Sequence, residues 1–348
     1  MSFETKVIAA PELQKFIAAL FAHQGLSATD AAQIAEVMVW ANLRGVDSHG
    51  VARVPKYLEW VVGEEGNAKP DYKITQPRKA TLLIEADRAP GPLAFTLATD
   101  KGIELARETG VAWVGVRSTI HAAAVGYYAE RAAKAGFIGI GLVAGIPNMG
   151  YTGVKGQAVA TSPLTIGVPS AKYGTILLDM ATATIALGKI AQYKIKGIPL
   201  PEGAALTKDG EPTTDAAKAA IPTPASGPKG SGMSLLFELL TSVLLENPIV
   251  KSFHAKAPGW RRHRQNGTII VVDPSAFRDP AGFAADVDAT VDAIKGLPRA
   301  DENTPIYFPG EIEAGIAARQ LKDGITLPLD TWDELVKVAE SYGVQVPR

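Results

Sequence analysis

The chain is 348 residues long, with 47% hydrophobic and 20% charged residues. That length accommodates about two soluble domains. Its 35 basic and 36 acidic residues leave a net charge of −1, so no long-range field draws nucleic acid. Cysteine is absent, which excludes disulfides, thiolate metal sites and a thiol nucleophile.

The first elements read as helices. Residues 10–23 carry Leu13, Phe16, Ile17, Leu20 and Phe21 at helical spacing, and Gly25 ends the run. Ser27 with Asp30 marks the start of a second helix through Ile34, Val37, Met38 and Ala41, which stops near Gly45. A third helix is expected from about Ser48 to Val62, capped by Asp47 or Ser48. Strands at 81–85, 111–117 and 137–143 alternate with helices at 93–109 and 125–135, the pattern of an α/β sheet with much of it buried. Further strands are expected at 164–168, 175–179 and 268–273, and helices at 185–195, 233–245, 281–295 and 331–342. The Pro- and Gly-rich segment 196–229 reads as a long ordered loop or flap.

The basic run Arg261-Arg262-His263-Arg264, beside Trp260, is short and reads as a solvated loop. The N-terminus lacks the basic-then-apolar profile of a signal peptide, and apolar runs such as 137–146 are too short and glycine-rich to cross a bilayer. A soluble, cytoplasmic protein without nucleic-acid or membrane partners is expected.

The usual dinucleotide fingerprint fails. After Gly139-Ile140-Gly141 the third glycine, Gly145, comes one position late, and the run sits inside a strand instead of opening a helix. No P-loop, zinc helix or Gly-x-Ser-x-Gly elbow is present, and five histidines without cysteine make a tight metal site unexpected. The most informative stretch is Arg44-Gly45-Val46-Asp47-Ser48-His49-Gly50-Val51-Ala52-Arg53. On a helix, His49 and Arg53 would share a face, placing a proton carrier beside a planar clamp for a carboxylate. Taken alone, His49 reads more readily as a structural or capping residue, and Arg53 one turn away brings the catalytic reading level with it. His121 follows a strand end, where ligands bind in α/β proteins, and also reads as a satisfied structural group. Lys229, before Gly230, offers a cation and backbone N–H groups to a phosphate, or forms a plain turn.

Together these segments resemble the malate/L-lactate dehydrogenase family, whose fold is not of the Rossmann type. The resemblance rests on 44–50 with Arg53 and Tyr57-Leu58, and on His121 followed by Gly126-Tyr127-Tyr128-Ala129. It extends through Leu178-Asp179-Met180-Ala181-Thr182, Gly188-Lys189-Ile190, Asp209-Gly210, 212–215, Lys229-Gly230-Ser231-Gly232 with Glu238, and Pro309-Gly310-Glu311. It implies an α/β fold in which residues 1–75 and 280–348 form a helix-rich part carrying the His/Arg motif, packed with an α/β domain at 76–279. It implies a homodimer that binds NADH or NADPH and acts on a 2-oxo or 2-hydroxy acid.

By the same resemblance His49 is the acid/base, Arg53 the carboxylate clamp and Ser48 an orienting residue. His121 is the second candidate for the proton, and Lys189 a substrate contact. Cofactor contacts are expected at Asp179, Met180, Ala181, Thr182, Ala183 and Thr184, at Lys229 and Gly230, and at Pro309, Gly310 and Glu311.

The chain departs from the family where it reads Ala160-Thr161-Ser162-Pro163, where Ile120 precedes and Ala122-Ala123 follow His121, and where Phe308 precedes Pro309. These departures suggest an unusual or more apolar substrate. Two competing readings are a cyclic imino acid reductase and a non-catalytic cofactor-sensing protein. The cation of Lys189 argues for an oxo acid over a positively charged imine.

Overall fold

A computed structural model describes residues 4–63, 65–259 and 265–347, and the basic run at 261–264 lies outside them. The chain opens with β1 (Thr5–Ile8), α1 (Ala10–His23) and α2 (Ala28–Leu43), and then makes two 3-10 turns, Asp47–His49 and Val51–Arg53, before α3 (Val54–Val62). Next come β2 (Lys73–Arg78), β3 (Thr81–Glu85), α4 (Gly91–Thr109), β4 (Val111–Thr119), α5 (Gly126–Lys134) and β5 (Ile138–Gly145). Strands β6 (Met149–Tyr151), β7 (Val154–Val159), β8 (Leu164–Ser170) and β9 (Gly174–Met180) precede α6 (Leu187–Lys196). Three short strands, β10 (Ala205–Thr207), β11 (Pro212–Thr213) and β12 (Ala219–Pro222), lead to α7 (Pro228–Glu238), which continues as a π-helix over Leu239–Val243. The remainder is α8 (Ile249–His254), β13 (Gln265–Val272), α9 (Pro280–Lys295), α10 (Glu311–Asp323), β14 (Ile325–Pro328) and α11 (Leu329–Tyr342).

Local chemistry explains the first helices. In α1 the apolar stripe of Leu13, Phe16, Ile17, Leu20 and Phe21 is wholly buried. Ser27 caps α2 by accepting the Asp30 N–H at 3.1 Å, and its hydroxyl donates to the Asp30 carboxylate at 2.7 Å. These helices form one apolar core with α3, α11 and the β1–β14 pair.

The central sheet has seven strands in the order β2-β3-β4-β13-β5-β8-β9. Only β3 and β4 run parallel, joined by α4 as a crossover; the other pairs are antiparallel. A second core lies between this sheet and α4 and α5. The glycines of β5 and β8 serve that packing. A Cβ on Gly139 would sit 3.0 Å from the Ala129 Cα, and one on Gly167 would sit 2.5 Å from the Ala129 carbonyl oxygen. They let α5 lie close on the sheet, so Gly139 has no phosphate-loop role.

Three expectations are corrected. The segment 196–229 is not a loop: β10, β11 and β12 pair antiparallel and pack a third core of Ile185, Ile190, Leu200, Ala204, Ala205 and Ala216. The helix expected from Ser48 begins as two 3-10 turns because Gly50, in an extended conformation, interrupts it (φ −90°, ψ −149°). The helix expected at 233–245 starts earlier, at Pro228, and loosens into the π-helix. Strand β2 runs across position 75, and α9 is tied to the β8–β9 turn by Ser170 donating to Asp288 at 2.5 Å and Lys172 to Asp292 at 2.7 Å. Among the described residues no helix is long and apolar enough to cross a membrane.

The glycine reading makes one prediction. Gly167→Val forces a side chain into the Ala129 backbone and is expected to destabilise the fold by roughly 1–3 kcal/mol. Urea unfolding checks it, and an unchanged midpoint would contradict the close approach of α5.

Candidate active site

The turn that carries Ser48, His49 and Arg53 is built around the side chain of Asn42, buried near the end of α2. Its Oδ1 accepts the Val51 N–H at 2.8 Å, and its Nδ2 donates to Asp47 at 2.7 Å. A Cβ on Gly50 would fall 2.2 Å from Asn42 Oδ1, so only glycine fits there. Asn42 therefore joins both 3-10 turns. His49 and Arg53 are neighbours through this template and not through a shared helix face.

Within the turn, Ser48 Oγ lies 3.0 Å from His49 Nδ1, and Arg53 Nε donates to the Ser48 carbonyl at 2.7 Å. The terminal nitrogens of Arg53 have no acceptor among the described residues. A planar guanidinium held by Nε with its other nitrogens available is suited to a carboxylate.

His121 comes to this turn from the loop after β4. Its ring stacks beside that of His49, with centroids 5.8 Å apart and planes 20° apart. Tyr57, fully buried on α3, puts its hydroxyl 2.7 Å from both His121 Nδ1 and the His121 carbonyl oxygen. A carbonyl can only accept, so the phenol proton goes to it. The Ala123 N–H donates to His121 Nδ1 at 3.2 Å and is turned also toward the phenol, so Nδ1 is an acceptor and the neutral ring carries its proton on Nε2.

Both imidazoles are neutral at pH 7. Burial, with the Arg53 charge second, lowers His49 to about 4. Burial and then the His49 and Arg53 charges hold His121 well below its ordinary value.

Ala123 stands in the left-handed region (φ 56°), which a residue with a side chain rarely adopts, so the loop after His121 carries local backbone strain. Ile120 is buried in the helical core and so does not line the reacting groups.

The other residues singled out in the sequence form a second cluster. Asp179, at the end of β9, accepts the Gly126 N–H at 3.0 Å, and burial pushes its carboxyl up to about 6 although the residue keeps solvent access. Met180 is exposed, and Ala181 and Ala183 are half-buried. Thr182 donates its N–H to Thr161 at 3.0 Å and Thr184 its N–H to Thr223 at 2.8 Å. The Ala225 N–H donates to the Thr182 carbonyl at 2.8 Å, which brings the first turn of α7, with Lys229 and Gly230, beside the 179–184 segment. A Cβ on Gly230 would lie 2.5 Å from the Thr182 carbonyl oxygen.

Pro309, Gly310 and Glu311 lie along the outer side of β9, where Pro309 accepts the Leu177 N–H at 2.9 Å. Phe308 packs on Tyr173 with centroids 4.8 Å apart. Lys189 is exposed on α6, next to Gly188, whose missing Cβ leaves room for the Ser48 Cβ only 2.5 Å away.

Three features escaped the sequence reading. Asn42 interrupts an apolar stripe, the signal that could have marked it. Tyr57 reads as a core aromatic, and nothing local announces that its hydroxyl meets His121. Arg44 forms a buried ion pair with Glu130 at 3.2 Å. A groove of about 480 Å³ between α2, α4 and α5 includes none of the site side chains except Glu130 of that pair. Among the described residues no His, Asp and Glu cluster could hold a metal.

With this geometry in view, comparisons with known proteins place the chain. The malate/L-lactate dehydrogenase family model matches residues 8–336. The L-sulfolactate dehydrogenase of Methanocaldococcus jannaschii is 35% identical over 324 residues, covering 92% of this chain and 93% of that protein. A solved structure of sulfolactate dehydrogenase from the same organism superposes with a TM-score of 0.87 over 98% of both chains, at 32% identity. The NAD(+)-dependent ureidoglycolate dehydrogenase of Escherichia coli is 29% identical over 333 residues, 95% of each chain. The Δ1-piperideine-2-carboxylate reductase structure from Pseudomonas syringae gives a TM-score of 0.85 at 26% identity, over 96% of this chain and 100% of that one.

Removing the template should expose its role. Asn42→Ala leaves the buried Val51 N–H without an acceptor and is expected to cost roughly 1–3 kcal/mol. Urea titration measures it, and wild-type stability would deny Asn42 that place.

Proposed function

The chain belongs to the malate/L-lactate dehydrogenase family. On that premise we propose that it is a 2-hydroxy acid dehydrogenase, moving a hydride between NADH or NADPH and the C2 carbonyl of a 2-oxo acid. One observation carries the reading: two neutral imidazoles stacked beside an arginine with uncommitted terminal nitrogens.

The residues fit a nicotinamide cofactor. Thr182 Oγ1 is buried with no hydrogen-bond partner among the described residues, and Gly230, lacking a side chain, lets the first turn of α7 pack against the Thr182 carbonyl beside it. Asp179 to Thr184, with Lys229 and Gly230 at the uncapped start of α7, would hold it, and Pro309 to Glu311 border them. When bound, the cofactor supplies or takes the hydride at C2.

The chain's own groups do the rest. Arg53 holds the substrate carboxylate through its terminal nitrogens and fixes C2 in place. Its neutralisation by that carboxylate removes one of the charges that keep the imidazoles deprotonated. In oxidation, His49 Nε2 takes the hydroxyl proton while its Nδ1–H donates to Ser48 Oγ; in reduction it returns the proton to the alkoxide. His121, whose ring proton is on Nε2, donates a hydrogen bond to the same oxygen. Lys189 adds a cation near Ser48, which favours an oxo acid over a protonated cyclic imine. Likeness to the piperideine-2-carboxylate reductase structure supports the imine as the second reading. A panel of 2-oxo acids against cyclic imino acids, with both cofactors, separates the two.

His49→Ala is expected to lower turnover about 10²–10⁴-fold while cofactor still quenches tryptophan fluorescence. Since the neutral form of His49 is the base, kcat/KM for hydroxy-acid oxidation should stay level as pH falls through 6.5, with its acid limb near 4. A limb at 6.5, or full turnover in the variant, removes His49 from the proton step.

The protein acts as a homodimer in this reading. Leu235, Leu236, Leu239, Leu240, Val243 and Leu244 form an exposed stripe on α7 and its π-helical extension. From Gly230 to Leu245 the only charge is Glu238, which is buried. An uncharged stripe of this kind is self-complementary, as a two-fold interface requires. Leu236→Glu is expected to halve the mass seen by light scattering, from a dimer of 36.6 kDa chains to the monomer. A wild type that is already monomeric would overturn the dimer.

A further inference from the structure

Arg44 opens the motif that supplies Ser48, His49 and Arg53, but the chemistry above gives it no part. Its side chain is buried at the C-terminal end of α2, one residue before the left-handed Gly45. The guanidinium reaches two other elements and the last turn of its own helix. It pairs with Glu130 of α5 at 3.2 Å, donates to the Gly310 carbonyl at 3.4 Å, and lies over the Trp40 ring at 5.1 Å. Glu130 is held in turn by Trp40 Nε1 and Lys134 Nζ, each at 2.7 Å. The Gly310 turn is pinned from its other side, since Pro309 accepts the Leu177 N–H two residues before Asp179. A cation held this firmly ties the end of α2, which leads into the catalytic turn, to α5 and the Gly310 turn, and its charge acts on Asp179.

We propose that Arg44 is a positioning residue for the nicotinamide cofactor: it locks the Gly310 turn, and through it the Asp179 end of β9, in register with the catalytic turn. This rests on the dehydrogenase reading. Three elements face Asp179: α2 with the Arg44 cation, α10 with the Glu313 carboxylate, and α5 with the Gly126 N–H. Arg44 and the N–H favour the anion; burial and Glu313 oppose it. Losing the cation therefore moves the titration of Asp179 upward, toward neutral pH.

The Gly126 amide reports this directly in the protein without nucleotide, because it donates to Asp179 Oδ2. Its NMR shift should titrate in the wild type with a midpoint near 6. In Arg44→Met the midpoint should rise by roughly one pH unit, while Arg44→Lys, which restores charge but not the forked contact, should bring it back. Arg44→Met should also weaken NADH or NADPH binding about tenfold by fluorescence quenching, raising the cofactor KM more than it lowers kcat. Should Arg44→Met fail to fold, Glu130→Gln, which retains Arg44 but weakens its anchor, should loosen cofactor binding in the same direction. A folded Arg44→Met with a wild-type midpoint and wild-type cofactor affinity overturns the proposal, as does a Glu130→Gln protein that binds cofactor as the wild type does. The titration needs no nucleotide. A wild type that bound neither cofactor would sink the dehydrogenase reading, and a raised midpoint in Arg44→Met would still show the link between Arg44 and Asp179.

Discussion

The carboxamide of Asn42 is the contact on which the site's geometry depends. Its two ends meet the Val51 N–H and the Asp47 carboxylate, and its bulk occupies the space above Gly50. Without it the two 3-10 turns have no common reference, and Ser48, His49 and Arg53 lose their fixed relation. Because buried polar groups are costly unless fully paired, such a template tolerates few substitutes. It sets one half of the reacting group; the other half, His121, comes from the sheet and is fixed by Tyr57. Two core helices, α2 and α3, thus hold the imidazoles from behind and leave both residues half-buried.

The charge arrangement follows from the same burial. Burial first, and then the neighbouring guanidinium and imidazole, disfavour any proton added to the two stacked rings, so the resting state is uncharged apart from Arg53. An anion at Arg53 lifts part of that effect. Substrate binding and proton affinity are therefore coupled through one residue, which suits a reaction that must run in both directions.

Much of the architecture was legible because local signals and tertiary packing agreed. The stripe of α1 and the Ser27 cap were read at the right positions, as were the ends of β3. The unread parts depend on contacts between distant segments. Nothing near Gln265–Val272 says that this strand lies between β4 and β5. Strands β10 to β12 are two to four residues long and sit among prolines and glycines, where periodicity has too little length to appear. The same limit applied at the site. Ser48, His49, Arg53 and His121 were named from the motif, but the helix invoked to join His49 and Arg53 does not exist. Asn42 and Tyr57, which perform the joining, carry no local mark of it.

The third core has a consequence for the molecule's dynamics. Only six buried apolar side chains, four of them alanine or a lone leucine, support α6 and its small sheet. The two larger cores do not depend on it. A unit so lightly anchored opens at a fraction of the global unfolding free energy. Amide hydrogens of 185–222 should therefore trade with solvent long before those of the central sheet, and this part can be rebuilt by mutation at small expense to the rest of the molecule.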